Sequence, residues 1–460
     1  MRPLWNAEDL LNATGGTMAE KFAATGVSID TRTLLPGDLF IALVGDSGDG
    51  HDHVAAALAK GAAGALVHRS VSRARNLLLV DDTMAALNRL GAFARARFPG
   101  RVAAITGSVG KTTTKEMLRT ILAPQGKTHA ATASHNNHWG VPLTLARLPP
   151  DAVYGVVEIG MNHRGEIEPL ARLARPHIGV ITTIAAAHIG YLGSLEAIAD
   201  EKASLLRALE PGGVAVLPAD LALFSRLAAA ASRNRIVRFG TAEDADTRLI
   251  AALADAEGTE LHVSVAGRDL RFRLPVAGLH MAMNAVAALA TAAALGADPV
   301  AAAVALQAFS AITGRGARTI IALDNGEALL LDESYNASSA AVRAALAVLK
   351  LQPATRRIAV LGDMLELGDH APAEHTGLAE AVCVSADLVF ACGPMMRSLF
   401  AALPPGLRGA HTENSSDLAP MVAAALSPGD VVLVKGSLGS RMRIIVAALH
   451  EKNRVAGEPG

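Results

Sequence analysis

The chain has 460 residues, 42 of them basic and 43 acidic, for a formal net charge of -1. That balance excludes a broadly basic face for nucleic acid, although a local anion pocket stays open, and the length implies two to four domains at ~100–200 residues each. Hydrophobic residues make up 51% and aromatics only 3%, so alanine, valine and leucine must build the cores, a composition that favours helices because alanine loses no side-chain entropy there.

From the N-terminus, MRPLWNAEDLL lacks the apolar core of a signal peptide. Residues 1–98 alternate short β-like runs with Ala-rich helical stretches: DLFIALVG (38–45) reads as a buried strand, and HVAAALAKGAAGALVH (53–68) as a helix, a glycine stop and a strand. FPGR (98–101) marks a boundary. RVAAIT (101–106) reads as a strand, followed by a Gly-rich turn and a helix from about Lys111 to Leu122. YGVVEIG (154–160) and HIGVITTI (177–184) are continuous apolar runs, as buried parallel strands are. The helical stretches between them make this middle region α/β with a parallel sheet.

The Ala-rich segment after Pro275 comes nearest to a membrane span, but His280, Asn284 and Asp298 interrupt it below the ~20 apolar residues required. A break at Thr313-Gly314-Arg315-Gly316 precedes a third α/β unit, with strands at ALLLDES (328–334), RIAVLGD (357–363) and DVVLVKGS (430–437). Cys383 and Cys392 form no disulfide framework and read as small buried hydrophobes in a reducing compartment. The polar tail HEKNRVAGEPG is expected to fray.

The sharpest local signal is Thr106-Gly107-Ser108-Val109-Gly110-Lys111-Thr112-Thr113, set between a strand and a helix as a phosphate-binding P-loop requires. Glycines let backbone N–H groups approach phosphate oxygens, and the helix N-terminus adds partial positive charge. Lys111 would reach the β/γ phosphates and Thr112 would place its hydroxyl on Mg²⁺. The spacing is the short G-x-x-G-K-T form, because Ile105 stands where the longer pattern has its first glycine. A nucleotide site of this kind needs an acid at a neighbouring strand end. Glu158 is placed for that, or is a surface glutamate at a strand end. His188 alone reads as a satisfied polar residue, and Lys202, in SLEAIADEKASLL, as a partly exposed lysine on a helix.

Together these phrases resemble the Mur ligases, ATP-dependent enzymes that form amide bonds. The resemblance runs over nearly the whole chain: SIDTRTLLPGDLFIALVGDSGDGHDHV (28–54), TGSVGKTTTKEM (106–117), NNHWGVPLTL (136–145), VVEIGMNHRGEI (156–167), AHIGYLGSLEAIADEK (187–202), DESYNASS (332–339), VLGDMLELG (360–368) with His375 after it, and VLVKGS (432–437). It implies an α/β protein of three domains: an N-terminal UDP-binding domain (1–98), a central P-loop parallel-sheet ATPase domain (99–313) and a C-terminal Rossmann-like domain (314–460). The C-terminal phrases point to the branch that joins D-alanyl-D-alanine to UDP-N-acetylmuramoyl-tripeptide, and the DNPR phrase of the diaminopimelate-adding sibling is absent.

By position, the resemblance implies that Gly107 to Thr113 hold ATP, that Thr112 serves one Mg²⁺ and Glu158 and His188 a second, and that Lys202 is carbamylated, which turns a cation into an oxygen anion suited to Mg²⁺. Asn284 would approach the adenine, Arg315 the ATP, and Asp332 or Glu333 the ribose. Thr31, Asp46, Ser47 and Gly48 would touch the UDP-sugar, and Asn136 and Asn137 the substrate. The sequence departs from the family's phrases at Thr183, Pro218 and Met281. A cytoplasmic monomer that binds neither nucleic acid nor membrane is expected. The rival readings are a sibling amide ligase, including a folylpolyglutamate-type synthase, a P-loop NTPase switch, and a non-catalytic scaffold.

Overall fold

The structure is a computed structural model that describes residues 3–45, 48–71 and 74–456. Three main sheets follow one another along the chain. The first has five strands, in the order Thr17–Met18, Leu77–Leu79, Gly64–Val67, Asp38–Ile41, Gly26–Ser28, all parallel except Thr17–Met18. The expected strand at 38–45 stops at Ile41. Val44 and Gly45 instead pair with Gly48–Asp49 in a small exposed hairpin, with Val44 58% exposed, so its apolar character does not mark the core.

The first unit is fastened to the second by side chains that reach across. Trp5, fully buried, donates its indole N–H to Ala146 O at 2.9 Å, and Arg147 donates to Val27 O at 2.6 Å. The helix Thr83–Arg97, capped by Asp82 on Ala85 N–H, packs on Gly140–Ala146 with Gly91 at the crossing. A Cβ there would stand 3.1 Å from Pro142 O, so a larger residue would force the helices apart.

The central sheet has nine strands. Its parallel part runs Thr128–Ala130, Tyr154–Glu158, Arg101–Thr106, Ile178–Ile181, Val214–Pro218, Arg235–Gly240 and Thr247–Ala254, as the continuous apolar runs predict. Beyond that lies an antiparallel extension, Thr259–Val265 and Arg268–Leu274, which departs from an all-parallel sheet. Alternating burial along Thr259–Val265 shows why: one face covers the core and the other meets water, which antiparallel strands tolerate. The helix Leu279–Leu295 lies across this sheet, its alanines buried against Met117, Leu118 and Ile121 of the helix Lys111–Leu122.

Arg101–Thr106 is the topological hinge of this sheet. The chain leaves it for Thr128–Ala130 and Tyr154–Glu158 on one side, then crosses to Ile178–Ile181 on the other. The crevice at the carboxyl ends of these strands is where an open α/β sheet binds ligands.

The third sheet has six strands, in the order Ala317–Leu323, Gly326–Glu333, Asp430–Lys435, Arg356–Gly362, Leu388–Cys392, Arg408–Thr412, parallel apart from the first pair. Cys392 is buried in it, but Cys383 is exposed at the end of the helix Ala379–Cys383, which corrects the reading of both cysteines as core. The helix Arg443–Ala456 takes up most of the tail expected to fray. Its Lys452 donates to Ala423 O at 2.6 Å, and Ile445 and Leu449 are fully buried. No helix among the described residues is long and apolar enough to cross a membrane.

Candidate active site

The Gly-rich turn joins the strand Arg101–Thr106 to the helix Lys111–Leu122. Gly107 (φ +150°) and Gly110 (φ +86°) hold conformations that L side chains rarely adopt. A Cβ on Gly107 would fall 1.9 Å from Thr182 Oγ1, and one on Gly110 2.4 Å from the Asn284 side chain. Both approaches are fixed by neighbouring segments: Thr182 Oγ1–H donates to Val109 O at 2.6 Å, and Ser108 exchanges hydrogen bonds with Ala185.

Lys111 closes on its own turn, donating to Gly107 O at 2.8 Å. Part of its surface opens on the cavity, yet the protein around Nζ strips it of water. That desolvation lowers its pKa; Glu158 opposes the shift and Arg315 adds to it. Thr112 Oγ1–H donates to Glu158 Oε1 at 3.1 Å and lies 3.1 Å from Ser134 Oγ. Glu158 is fully buried at the end of its strand, not a surface residue, and its Oε1 also accepts from Asn136 Nδ2 at 2.7 Å. Its Oε2 has no hydrogen-bond partner.

Lys115, one turn beyond Lys111, supplies the nearest cation. It is fully buried, 3.8 Å from Glu158 Oε2 and 3.1 Å from Glu116, and it donates to Ala131 O at 2.7 Å and to Ala133 O. Sequence reasoning passed over it. Its signal was the i, i+4 spacing from Lys111 in KTTTK, which puts both lysines on one helix face.

Lys202 is not the partly exposed helix residue expected. It has no solvent-accessible surface, and its Nζ has no hydrogen-bond partner. Burial, reinforced by Lys111, drives its pKa well below the ordinary lysine value. The neighbouring Glu201 is turned the other way, accepting from Ile167 N–H at 3.0 Å and Gly165 N–H at 2.8 Å. Periodicity alone hid this, because the whole helix Leu195–Ala203 is covered on the side that carries Lys202.

A cavity of about 1100 Å³ opens between the central and third units. Lys111, Glu158, Asn136, Asn137, His188 and Asn284 wall it on one side, and Arg315, Glu333 and Lys435 on the other. Arg315 stacks over the Tyr335 ring at 4.2 Å and donates to Ser134 Oγ at 3.2 Å, bridging the two units. The adjacent acids divide. Asp332 is buried and spent on its own turn, accepting from Gly314 N–H at 2.9 Å and Ser334 Oγ–H at 2.6 Å. Glu333 lines the cavity and pairs with Lys435 Nζ at 3.2 Å. Neighbouring residues on a strand point to opposite faces, so only one could face the cavity.

His188 has a left-handed backbone (φ +63°), and its Nδ1 sits 2.5 Å from Glu366 Oε2 of the third unit, without the alignment of a hydrogen bond. The imidazole holds the Glu366 carboxyl below its ordinary pKa. Thr31 and Gly48 stand apart from the cavity wall, in the first unit. Lys60 donates to Thr31 O at 2.8 Å. Asp46 and Ser47 lie outside the described residues. Among the described residues no cluster of three or more His, Cys, Asp or Glu gathers as a metal site.

Three family descriptions match successive parts of the chain: "Mur ligase family, catalytic domain" over residues 23–92, "Mur ligase middle domain" over 105–292, and "Mur ligase, glutamate ligase domain" over 317–438. The UDP-N-acetylmuramoyl-tripeptide--D-alanyl-D-alanine ligase of Synechocystis sp. is 36% identical, over 96% of this chain and 95% of its own length. Its namesake from Escherichia coli is 35% identical, over 96% and 97%. The crystal structure of MurF from Acinetobacter baumannii superposes with a TM-score of 0.85 at 31% identity, covering 98% of this chain and all of that one.

Proposed function

The chain belongs to the Mur ligase family, and from that footing we propose that it is an ATP-dependent ligase joining D-alanyl-D-alanine to UDP-N-acetylmuramoyl-tripeptide. The product is the UDP-linked muramoyl pentapeptide of peptidoglycan precursor synthesis. The observation that carries the chemistry is the gathering of Lys111, Thr112 and Glu158 with Arg315 and Glu333 around one cavity between two units. The curated relatives, similar along the whole chain, carry the choice of substrates.

The reaction has two steps. The terminal carboxylate of the tripeptide attacks the γ-phosphorus of ATP, forming a mixed acyl phosphate as ADP leaves. The amine of D-alanyl-D-alanine then attacks the acyl carbon, phosphate departs with the C–O bond electrons, and the nitrogen gives up a proton. The N–H groups of Gly107 to Thr113 cradle the phosphates, and Lys111 supplies positive charge to the transferring group. Burial lowers its pKa, and a phosphate beside it would oppose that shift by giving the charged form a partner. Asn284 and Glu333 receive the nucleoside, with Glu333 rather than Asp332 on the ribose. Arg315 reaches the ATP from the third unit.

Magnesium fits the donor set. Glu158 Oε2 is buried with no hydrogen-bond partner and with the Lys115 ammonium no nearer than 3.8 Å, which leaves it free to meet a metal cation. Thr112 would hold one ion, and Glu158, His188 and Lys202 a second, the last after its unprotonated amine has added to carbon dioxide and lost a proton. Bound there, the two ions would neutralise charge on the phosphates. An unpartnered, fully buried amine of depressed pKa is suited to carbamylation, because the neutral form is the nucleophile.

The domains divide at 1–98 for the UDP-sugar, with Thr31, Asp46, Ser47 and Gly48 as contacts, 99–313 for ATP, and 314–460 for the amine substrate and closure. Asn136 and Asn137 face the substrate. The protein acts as a cytoplasmic monomer. The deciding test is phosphate release with ATP and Mg²⁺, adding the UDP-linked tripeptide and D-alanyl-D-alanine separately and together. Release that needs both substrates supports this reading. Release with neither would make the chain an NTPase switch, and none with the pair would point to a sibling ligase.

A further inference from the structure

Three features of the third unit have no part in the reaction above: LGDMLELG, His375 and the serine that ends KGS, Ser437. They meet around one loop. After the strand Arg356–Gly362 the chain runs through 363–370 to the helix Ala371–Thr376. His375 is fully buried, its Nε2 accepting from Met364 N–H at 3.0 Å and its Nδ1–H donating to Ala371 O at 2.6 Å. Leu365 N–H donates to Ser437 Oγ at 3.0 Å, and Ser437 N–H donates to Asp363 O at 3.0 Å. Both ends of the loop are therefore tied down inside its own unit. Between them Glu366 takes a positive φ of +67°.

What Glu366 meets belongs to the ATP-binding unit. Its carboxylate stands 2.5 Å from His188 Nδ1, and its backbone oxygen accepts from Gly190 N–H at 3.0 Å. The two backbones are in contact around this pair. A Cβ on Gly190 would lie 2.6 Å from Gly368 N, 2.9 Å from Glu366 O and 3.0 Å from Leu367 C, and one on Gly368 would lie 3.1 Å from Gly190 Cα. Gly190 itself sits in the short helix Ile189–Leu192 without a positive φ, so its own segment does not demand glycine. The nearest atoms an added Cβ would strike all come from the third unit.

We infer that the 363–370 loop is a docking latch, in which the Gly190–Gly368 joint lets the third unit seat against the ATP-binding unit and Glu366 acts as a positioning residue for the His188 ring. The assignment of Glu366 rests on the reading of His188 given above; the joint does not. His188 lines the same cavity as Lys111 and Glu158. Seating the third unit therefore completes the cavity wall and orients that ring in one movement, which couples docking to chemistry.

The test uses the full-length protein with spin labels on native Cys383, which is exposed, and on Glu243→Cys in the ATP-binding unit; Cys392 is buried and escapes labelling. Inter-label distances are measured by pulsed electron resonance with a non-hydrolysable ATP analogue and the UDP-linked tripeptide. Gly190→Ala is expected to shift the distances longer and broader and to lower kcat for ligation by about tenfold or more, with ADP affinity held within about twofold. Glu366→Ala is expected to lower kcat with little change in nucleotide KM, and Glu366→Gln to recover part of the loss. An unchanged distance distribution in Gly190→Ala overturns the latch, as does a displaced third unit with undiminished kcat. If Gly190→Ala does not accumulate as folded protein, Glu366→Ala carries the same two readouts. Absence of ligation by the unmodified protein would overturn the proposed acceptor instead, and the distances would still report on the latch.

Discussion

Glu158 is the residue on which the site's electrostatics turn. Its carboxylate is fully buried, with Thr112 and Asn136 on one oxygen and the Lys115 ammonium 3.8 Å from the other. A buried carboxylate without a counter-charge is strongly unfavourable, and removing one partner of such a pair costs about 3–5 kcal/mol. Lys115→Met should therefore lower the unfolding free energy from urea titration by an amount in that range, moving the midpoint down, and ligation should fall with it, because Ala131 and Ala133 lose the donor that orders the segment leading to Asn136. A midpoint equal to that of the unmodified protein would show that Glu158 is compensated by other groups. Lys202 poses the opposite case: a buried amine with no hydrogen-bond partner, whose burial drives its pKa well below the ordinary lysine value.

At the scale of elements, the strand–turn–helix of 101–122 does what its sequence announces. The glycines are needed for two separate reasons, positive φ and close approach, and Gly107 and Gly110 each have both. Gly107→Ala is expected to abolish measurable ATP binding while leaving the helices, seen by circular dichroism, intact; the new methyl would have to displace Thr182, whose hydroxyl anchors Val109. Retention of ATP affinity within about twofold would mean that the turn can rebuild itself. Other elements were less legible. The antiparallel strands Thr259–Val265 and Arg268–Leu274 carry alternating polar residues and no long apolar run, so they do not stand out beside the buried parallel strands. The apolar run DLFIALVG reads as one buried strand to Gly45, although the chain turns outward after Ile41 and exposes Val44.

At the scale of the whole molecule, the reaction requires a closed cavity, because an acyl phosphate is open to hydrolysis. The third unit already meets the central one through Arg315 on Ser134, Glu366 on His188, and Arg318 and Gln352 on Ala256 O. The turn between the two units contains Gly314 and Gly316, both at positive φ, where glycine gives the backbone conformations that other residues rarely adopt. Small-angle scattering should show a smaller radius of gyration when an ATP analogue and the UDP-linked tripeptide are added together than with neither. No compaction would argue that the units stay seated throughout the cycle.

What the sequence determined by itself was local: the P-loop, the Glu158 strand end and the break at 313–316 each depend on a few adjacent residues whose backbone preferences are strong. Family resemblance then extended that reading to His188 and Lys202, whose side chains carry no local signal. The tertiary structure alone decided the rest. It buried Lys202, set Glu333 rather than Asp332 against the cavity, recruited Lys115, and brought Glu366 to His188. Each of these depends on segments far apart in the chain, as when Thr112 meets Glu158 across 46 residues and Arg315 meets Ser134 across 181. A titratable side chain takes its charge and its partner from whatever the fold packs around it, and periodicity along one segment does not specify that environment.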